Sequence, residues 1–283
     1  MKRRSISRNG FATEAEGKGI MKTELSLSEI KTVAFEILKH FSAFCKQNGI
    51  CFYLSNGTLL GAVKYGGFIP WDDDIDVFIP RKDYDRFIEI YKNSKKYQLF
   101  SRECEPAYRF PFAKLCDMTT LKTEMNIDNG IPLGVDIDIF PLDSCSVHIL
   151  KPDVQRKIQI YQTGCVLSKF VSSEGKPFYK RWVIACCCAM GFDFFYNKLT
   201  KAVAKEIQKD GAFMGCLMWP IYGEREVVPA EIFSATVEIE FEGEKFPAPV
   251  GYDIYLRSLY GDYKKDPPAD KQRSHHKYKA YRV

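Results

Sequence analysis

Residues Gly57–Pro80 read GTLLGAVKYGGFIPWDDDIDVFIP, and the fold is decided by how this stretch is read. A Gly57-Thr58 turn opens it and a basic, glycine-rich loop follows. Four carboxylates then fall within five positions: Asp72, Asp73, Asp74 and Asp76. The run closes as an apolar strand through Ile75, Val77, Phe78 and Ile79. Strand alternation would turn Asp72, Asp74 and Asp76 to one face and Asp73 to the other, leaving Asp73 outside any ligand set. Like charges on one face repel, and a fold tolerates them where a cation sits among them. Hard oxygen donors favour Mg²⁺ or Mn²⁺ there. A solvated acidic turn capping a strand is the simpler alternative, but it does not require Trp71 or the buried-type strand.

Upstream, Ser26 and Glu29 have the spacing of a capping box. Ile30, Val33, Ile37, Leu38, Phe41, Phe44 and Cys45 recur at helical intervals until Asn48-Gly49 stops the helix. Ile50–Leu54 reads as a short strand and Leu59–Lys64 as a short helix. The order is therefore strand, Gly-Thr turn, helix, acidic strand. The N–H groups at a helix start after a glycine turn bind phosphate. A metal held by the acidic strand would bridge the same phosphates. The coupling points to nucleotidyl or phosphoryl transfer, with Gly57, Thr58 and Lys64 on the phosphates.

Downstream of Pro80 an amphipathic helix is expected through Tyr84, Phe87, Ile88 and Tyr91, then a strand at Gln98–Phe100. Phe110–Cys116 and Thr119–Thr123 read as a hairpin turning at Asp117-Met118. Lys114 and Arg109 are candidate phosphate contacts, with solvated sheet charges as the alternative. Asp136 and Asp138 lie two apart in an apolar strand and share a face. An unpaired carboxylate is costly there, so one of them supplies a third acid; Asp138 is favoured over Asp136. Pro152–Lys209 reads as helices bent at Gly191, forming the wall of an acceptor site. Thr236–Phe241 and Lys245–Pro247 form a hairpin on Gly243-Glu244, and Tyr252–Tyr260 forms a helix ending at Gly261. The Pro267-Pro268 pair and the basic end suggest an ordered loop returning towards a site, with Arg273 and His275 as further phosphate candidates and a disordered basic tail as the alternative. The segmentation is a disordered tail (1–22), a catalytic core (23–150), a helical subdomain (151–225) and a C-terminal part (226–283) completing the core.

Composition is that of an ordinary globular protein, 46% hydrophobic and 27% charged. A net charge of +5, spread along the chain, argues against nucleic acid as the partner. Ten cysteines without a regular framework read as reduced thiols. Cys145 and His148 have a zinc-like spacing but lack a second pair. The longest apolar run, Trp182–Tyr196, is broken by Asp193 and is too short for a membrane span. Its flanks, Lys180, Arg181 and Lys198, suit a core helix, the default, or a helix lying on an anionic bilayer.

Three blocks carry a resemblance: Gly57–Arg81; Asp136–Asp143; and FEGEKFPAP (Phe241–Pro249) with LYGDYKKDPP and the closing Arg273, His275 and His276. In this order they resemble the LicD family. The resemblance implies an α+β fold, a nucleotidyltransferase-like mixed sheet flanked by helices with a helical insertion. It implies transfer of phosphocholine or a related phospho-group from a CDP-activated donor to a cell-surface glycan or its lipid-linked precursor, releasing CMP. Asp74 and Asp76 take the metal pair's place, with Asp72 joining and Asp138 as third acid. Gly57 and Thr58 take the glycine turn's place, and Asn56 stands where many members have Gly. Lys64 and Lys114 would neutralise phosphate oxygens. A choline head group calls for an aromatic cage, for which Trp71, Tyr65, Tyr108 and Phe110 are candidates. The setting implied is cytoplasmic, at the inner face of the plasma membrane, with peripheral membrane contact. Two rivals are a DxD nucleotide-sugar glycosyltransferase and a catalytically silent nucleotide-binding scaffold.

Overall fold

A computed structural model describes residues 23–124, 131–169, 171–268, 270, 272–273 and 278–283. The tail expected over 1–22 and the candidate His275 lie outside these residues.

Strand β1 (Thr23–Glu24) leads into helix α1 (Leu27–Asn48). Ser26 caps that helix in a reciprocal box with Glu29, and Gly49 closes it at a left-handed φ of 62°. Such a cap stabilises by about 1 kcal/mol. The expected strand at Ile50–Leu54 shortens to β2 (Tyr53–Leu54), followed by α2 (Asn56–Tyr65), β3 (Asp76–Pro80) and α3 (Arg81–Ile90). Next come β4 (Tyr97–Phe100), β5 (Ala113–Glu124) and β6 (Leu133–Cys145). The hairpin expected across Asp117-Met118 is instead one strand, β5, with a register irregularity between Asp117 and Lys122. Asp117 explains this: its carboxylate accepts the Thr119 N–H (2.9 Å) and hydroxyl (2.7 Å), and its carbonyl accepts from Thr120 Oγ1 (2.7 Å). These local bonds bulge the strand, and its far half continues along another partner.

Helices α4 (Pro152–Lys169), α5 (Phe178–Met190) and α6 (Phe192–Val203) form the insertion. Gly191, at φ 81°, separates the last two rather than bending one helix. The chain continues through β7 (Phe213–Gly215), β8 (Val228–Pro229), β9 (Thr236–Phe241), β10 (Glu244–Pro249), α7 (Tyr252–Tyr260) and β11 (Tyr278–Arg282).

The main sheet runs β1-β11-β5-β6-β3-β2, with β4 on β5, and β7 joining β6 to β8. Only the β3–β6 pair is parallel among the described strands. The fold is thus α+β with a mixed sheet. Ile37, Leu38 and Phe41 of α1 belong to one core with Leu54, Val77, Ile79, Ile137 and Ile139. A second cluster joins Ile158 and Cys165 of α4 to Phe195 and Leu199 of α6. There Gly164 leaves no room for a Cβ against the Phe195 ring. The default of a core helix fails for α5, which buries only Ile184 and Cys187. No described helix is long and apolar enough to cross a membrane. All ten cysteines are free thiols. Cys145 is buried and His148 Nδ1 instead pairs with Glu206 Oε2 at 2.7 Å.

Candidate active site

Helix α2 starts earlier than the sequence suggests. It begins at Asn56, so Gly57 and Thr58 form its first turn rather than a turn before it. Asn56 has φ 46°, the left-handed region that Asn tolerates better than most residues. Its Oδ1 accepts the Tyr255 hydroxyl at 2.7 Å, fixing the helix start against α7. The helical ladder opens with Leu59 N–H on the Ser55 carbonyl (3.0 Å), so the N–H groups of the preceding turn lack intrahelical acceptors. The Ser55 hydroxyl is buried with no hydrogen-bond partner among the described residues. Thr58 is buried too, and its hydroxyl accepts the Asp76 N–H at 2.8 Å. Thr58 therefore positions the start of β3 and does not line the cleft.

The acidic run is not a strand until Asp76. Alternation consequently fails as the rule that sorts its carboxylates. Asp72 N–H donates to the Ile69 carbonyl (3.0 Å) and Asp73 N–H to Asp72 Oδ1 (3.2 Å). In this turned backbone Asp72, Asp73 and Asp74 bring carboxylate oxygens within 4.8 Å of one another. The expectation that Asp73 points away from its neighbours is therefore corrected. Asp73 is nonetheless buried and hydrogen-bonded with Tyr278, whereas Asp72, Asp74 and Asp76 line the cleft.

Parallel pairing sets Asp76 beside Asp138, with Asp138 N–H on the Ile75 carbonyl at 2.8 Å. Burial, reinforced by Asp74, Asp138 and Asp72, pushes the Asp76 carboxyl well up. Burial also raises Asp138, to about 6, with Lys114 opposing and Asp136 adding to it. Lys114 is not on the cleft wall. It is buried opposite Asp138 in the β5–β6 register, bonded to Asp136 at 2.8 Å and to Asp138. Lys122 reaches the other Asp136 oxygen at 3.2 Å. For Asp136 burial acts upward, but the two ammonium groups outweigh it and hold the carboxyl below its ordinary range. Asp136 is thus an ion-paired structural acid; Asp138 is the more open of the two, its side chain 18% exposed, and stands beside Asp76 behind the residues that line the cleft.

The cleft has a volume of about 740 Å³. Gly57, Lys64, Tyr65, Trp71, Asp72, Asp74 and Asp76 line it. A Cβ at Gly57 would stand 3.1 Å from Asp72 Oδ2, so glycine leaves room between helix start and acids. Lys64 pairs with Asp266 at 2.6 Å, and the Tyr65 hydroxyl donates to the same carboxylate at 2.5 Å. The cleft is also lined by Ile221, Tyr222, Tyr260, Tyr263 and Lys265, to which sequence reasoning assigned no individual role. Tyr260, Tyr263 and Lys265 lie in the LYGDYKKDPP block, a signal that could have found them; Tyr222 had none. Tyr222 and Tyr260 meet edge to face at 5.3 Å, as Tyr65 and Trp71 do at 6.3 Å. Arg273 also lines the cleft. Tyr108 and Phe110 do not; they pack around Cys116 in a separate cluster. Arg109 is turned towards Asp193 of the insertion, at 3.7 Å.

Surrounding contacts hold the acidic loop. Lys31 Nζ donates to the Ile69 and Pro70 carbonyls at 3.1 and 3.0 Å. The β9–β10 turn, with Glu242 at φ 53° and Gly243 at 80°, sets Glu242 Oε1 against the Phe68 N–H at 3.0 Å. The donor set is all carboxylate oxygen, crowded enough to raise the buried Asp76, and it fits a hard divalent cation.

The nucleotidyltransferase-domain family described as LicD/FKTN/FKRP matches residues 49–171. The chain is 30% identical over 275 residues to the lipopolysaccharide cholinephosphotransferase LicD of Haemophilus influenzae, covering 91% of this chain and 98% of that protein. An uncharacterised protein of Rickettsia typhi is 35% identical over 71 residues, 25% of this chain and 23% of its own. Mannosyltransferase regulator 4 of Saccharomyces cerevisiae is 32% identical over 117 residues, 39% of this chain and 10% of its own.

Proposed function

The chain belongs to the LicD family, and from that premise we propose that it moves phosphocholine, or a similar phospho-group, from a CDP-activated donor to a glycan or its lipid-linked precursor. It is a LicD-like phosphotransferase. The observation that carries the finer reading is the meeting of Asp72, Asp74 and Asp76 with Gly57 and Lys64 in one cleft. Diphosphate oxygens need that combination: helix-start N–H groups and an ammonium to bind them, with a cation seat close by.

In this reading the acceptor hydroxyl attacks the donor's β-phosphorus. The new O–P bond forms as the bridging P–O bond breaks, and CMP leaves with the electron pair. Asp138, raised to about 6 and still partly exposed, takes the hydroxyl proton at a carboxylate oxygen. Asp74 and Asp76, joined by Asp72, would hold Mg²⁺ or Mn²⁺; bound there, the ion supplies charge neutralisation to the diphosphate. Gly57 lets phosphate approach the start of α2, and Thr58 keeps β3 beside it. Lys64 exchanges Asp266 for phosphate oxygen. Lys114 acts through Asp138, whose carboxylate it orients. Trp71, Tyr65, Tyr222 and Tyr260 are the aromatic faces available to a cationic head group. The core is read as nucleotidyltransferase-like, working at the cytoplasmic face of the plasma membrane where donor and lipid-linked acceptor meet.

The test offers the full chain and Mg²⁺ a panel of CDP-choline, CDP-glycerol, CDP-ribitol and UDP-sugars. CMP release from a CDP donor is expected. UDP release from a sugar donor would replace the reading with glycosyl transfer, and nucleotide binding without turnover would favour a silent nucleotide-binding scaffold.

A further inference from the structure

Helix α5 is turned inside out relative to an ordinary surface helix. Its 13 residues bury only Ile184 and Cys187, three apart on the side facing α4. Cys188 Sγ also reaches back to the Leu167 and Ser168 carbonyls of α4, at 3.7 and 3.6 Å. At about 100° per residue the remaining apolar side chains share one continuous outward arc. On that arc Phe178 is 83% exposed, Tyr179 64% and Trp182 63%, with Val183 and Met190 beside them. The same spacing puts Arg181 at one edge of the arc, while Lys180, also exposed, stands at the start of the helix on the side of a groove. α5 contains no acidic residue. Next to it lies a groove of about 320 Å³ whose floor is Leu167, Val171, Val183 and Ile184, rimmed by Lys176 and Lys180.

We propose that this face docks onto the headgroup region of an anionic phospholipid bilayer. An apolar arc carrying Phe, Trp and Tyr, with Arg181 at its edge and Lys180 beside the groove, matches the interfacial layer, where rings sit among acyl ends and cationic groups meet lipid phosphate. The groove beside it suits an acyl chain, with the lysine rim placed for the phosphate above. At 13 residues the helix reaches only about 20 Å and lies in the interface rather than crossing it. A second copy is the poorer occupant: it would bring the same cations to the contact with no carboxylate on α5 to pair with them. Docking here also bears on the cleft. Helix α4 is tied by Gln162 Nε2 to the Pro220 carbonyl (3.3 Å), next to Ile221 and Tyr222 of the cleft wall.

The experiment uses the full chain and sedimented vesicles, either pure phosphatidylcholine or phosphatidylcholine with about one third phosphatidylglycerol. The wild-type chain is expected to partition at least about tenfold more onto the anionic vesicles. Phe178→Ser/Trp182→Ser should lower that partition about tenfold, and Lys180→Glu/Arg181→Glu should abolish the anionic preference. Brominated acyl chains should quench tryptophan emission in the wild type, while Trp182→Phe keeps binding and loses the quenching. Equal partition of wild type and both double variants would overturn the proposal. So would an unquenched Trp182, or a wild-type dimer in light scattering that Phe178→Ser/Trp182→Ser dissolves.

Discussion

Glu226 is nearly solvent-free at 2% exposure, and its carboxylate accepts the Tyr222 N–H at 2.6 Å. It braces the turn that presents Tyr222 to the cleft. Burial, against the backbone N–H groups of Tyr222 and Ile221, pushes its carboxyl up from 4.5 to about 7. The folded state therefore holds this proton more tightly than the unfolded chain. The stability it contributes is complete below pH about 4.5 and is lost as pH rises to about 7. Glu226→Gln keeps an acceptor and removes the titration. Urea midpoints from pH 5 to 8 should show the variant gaining on the wild type as pH rises, by at most about 3 kcal/mol. Parallel curves would contradict this. At this scale the sequence was most legible where chemistry is local: the spacing of Asp72, Asp74 and Asp76 found three residues that share a cleft. It was least legible where a charge finds its partner across strands. Lys114 reads as an open phosphate contact until the β5–β6 register sets it opposite Asp138. Asp73 was sorted by a strand periodicity that begins only three residues later.

Elements show the same division. The capping box and Gly49 marked α1 correctly because a helix start and stop are written in adjacent residues. The Asp117-Met118 step looked like a turn because Asp, followed by threonines, makes local side-chain bonds. Those bonds exist, but they bulge β5 instead of reversing it, since β11 is waiting to pair with its far half. Helix α2 is the element that the site depends on, and its packing is tight at Gly61. A Cβ there would overlap the Gly67 carbonyl and come within 3.1 Å of the Ile69 nitrogen, both backbone atoms that cannot step aside. Gly61→Ala should lower stability by about 1–3 kcal/mol in denaturant titration. It should also weaken nucleotide binding, because the displaced segment carries the acidic loop. An unchanged midpoint would mean that the α2–β3 connection is looser than its contacts indicate.

For the molecule as a whole, the cleft is built from three segments far apart in sequence: the α2–acidic loop, the turn at Ile221–Tyr222, and the end of α7 with its following loop. The first was legible alone. The third was visible as a sequence block and a loop expected to return towards a site, and the second emerged only when Glu226 and α7 brought Tyr222 against Tyr260. The α+β class followed from the order of strands and helices, but not which faces stay bare. Helix α5 reads as core by composition, and packing leaves its aromatic side outward. The central claim concerns the carboxylates that the cleft gathers. The most direct test is single-turnover CMP release from CDP-choline with Mg²⁺, comparing the wild-type chain with Asp74→Asn and Asp74→Asn/Asp76→Asn. The account predicts release by the wild type, a fall of at least about a thousandfold in Asp74→Asn, and none above background in the double variant. Wild-type rates in the double variant would contradict it.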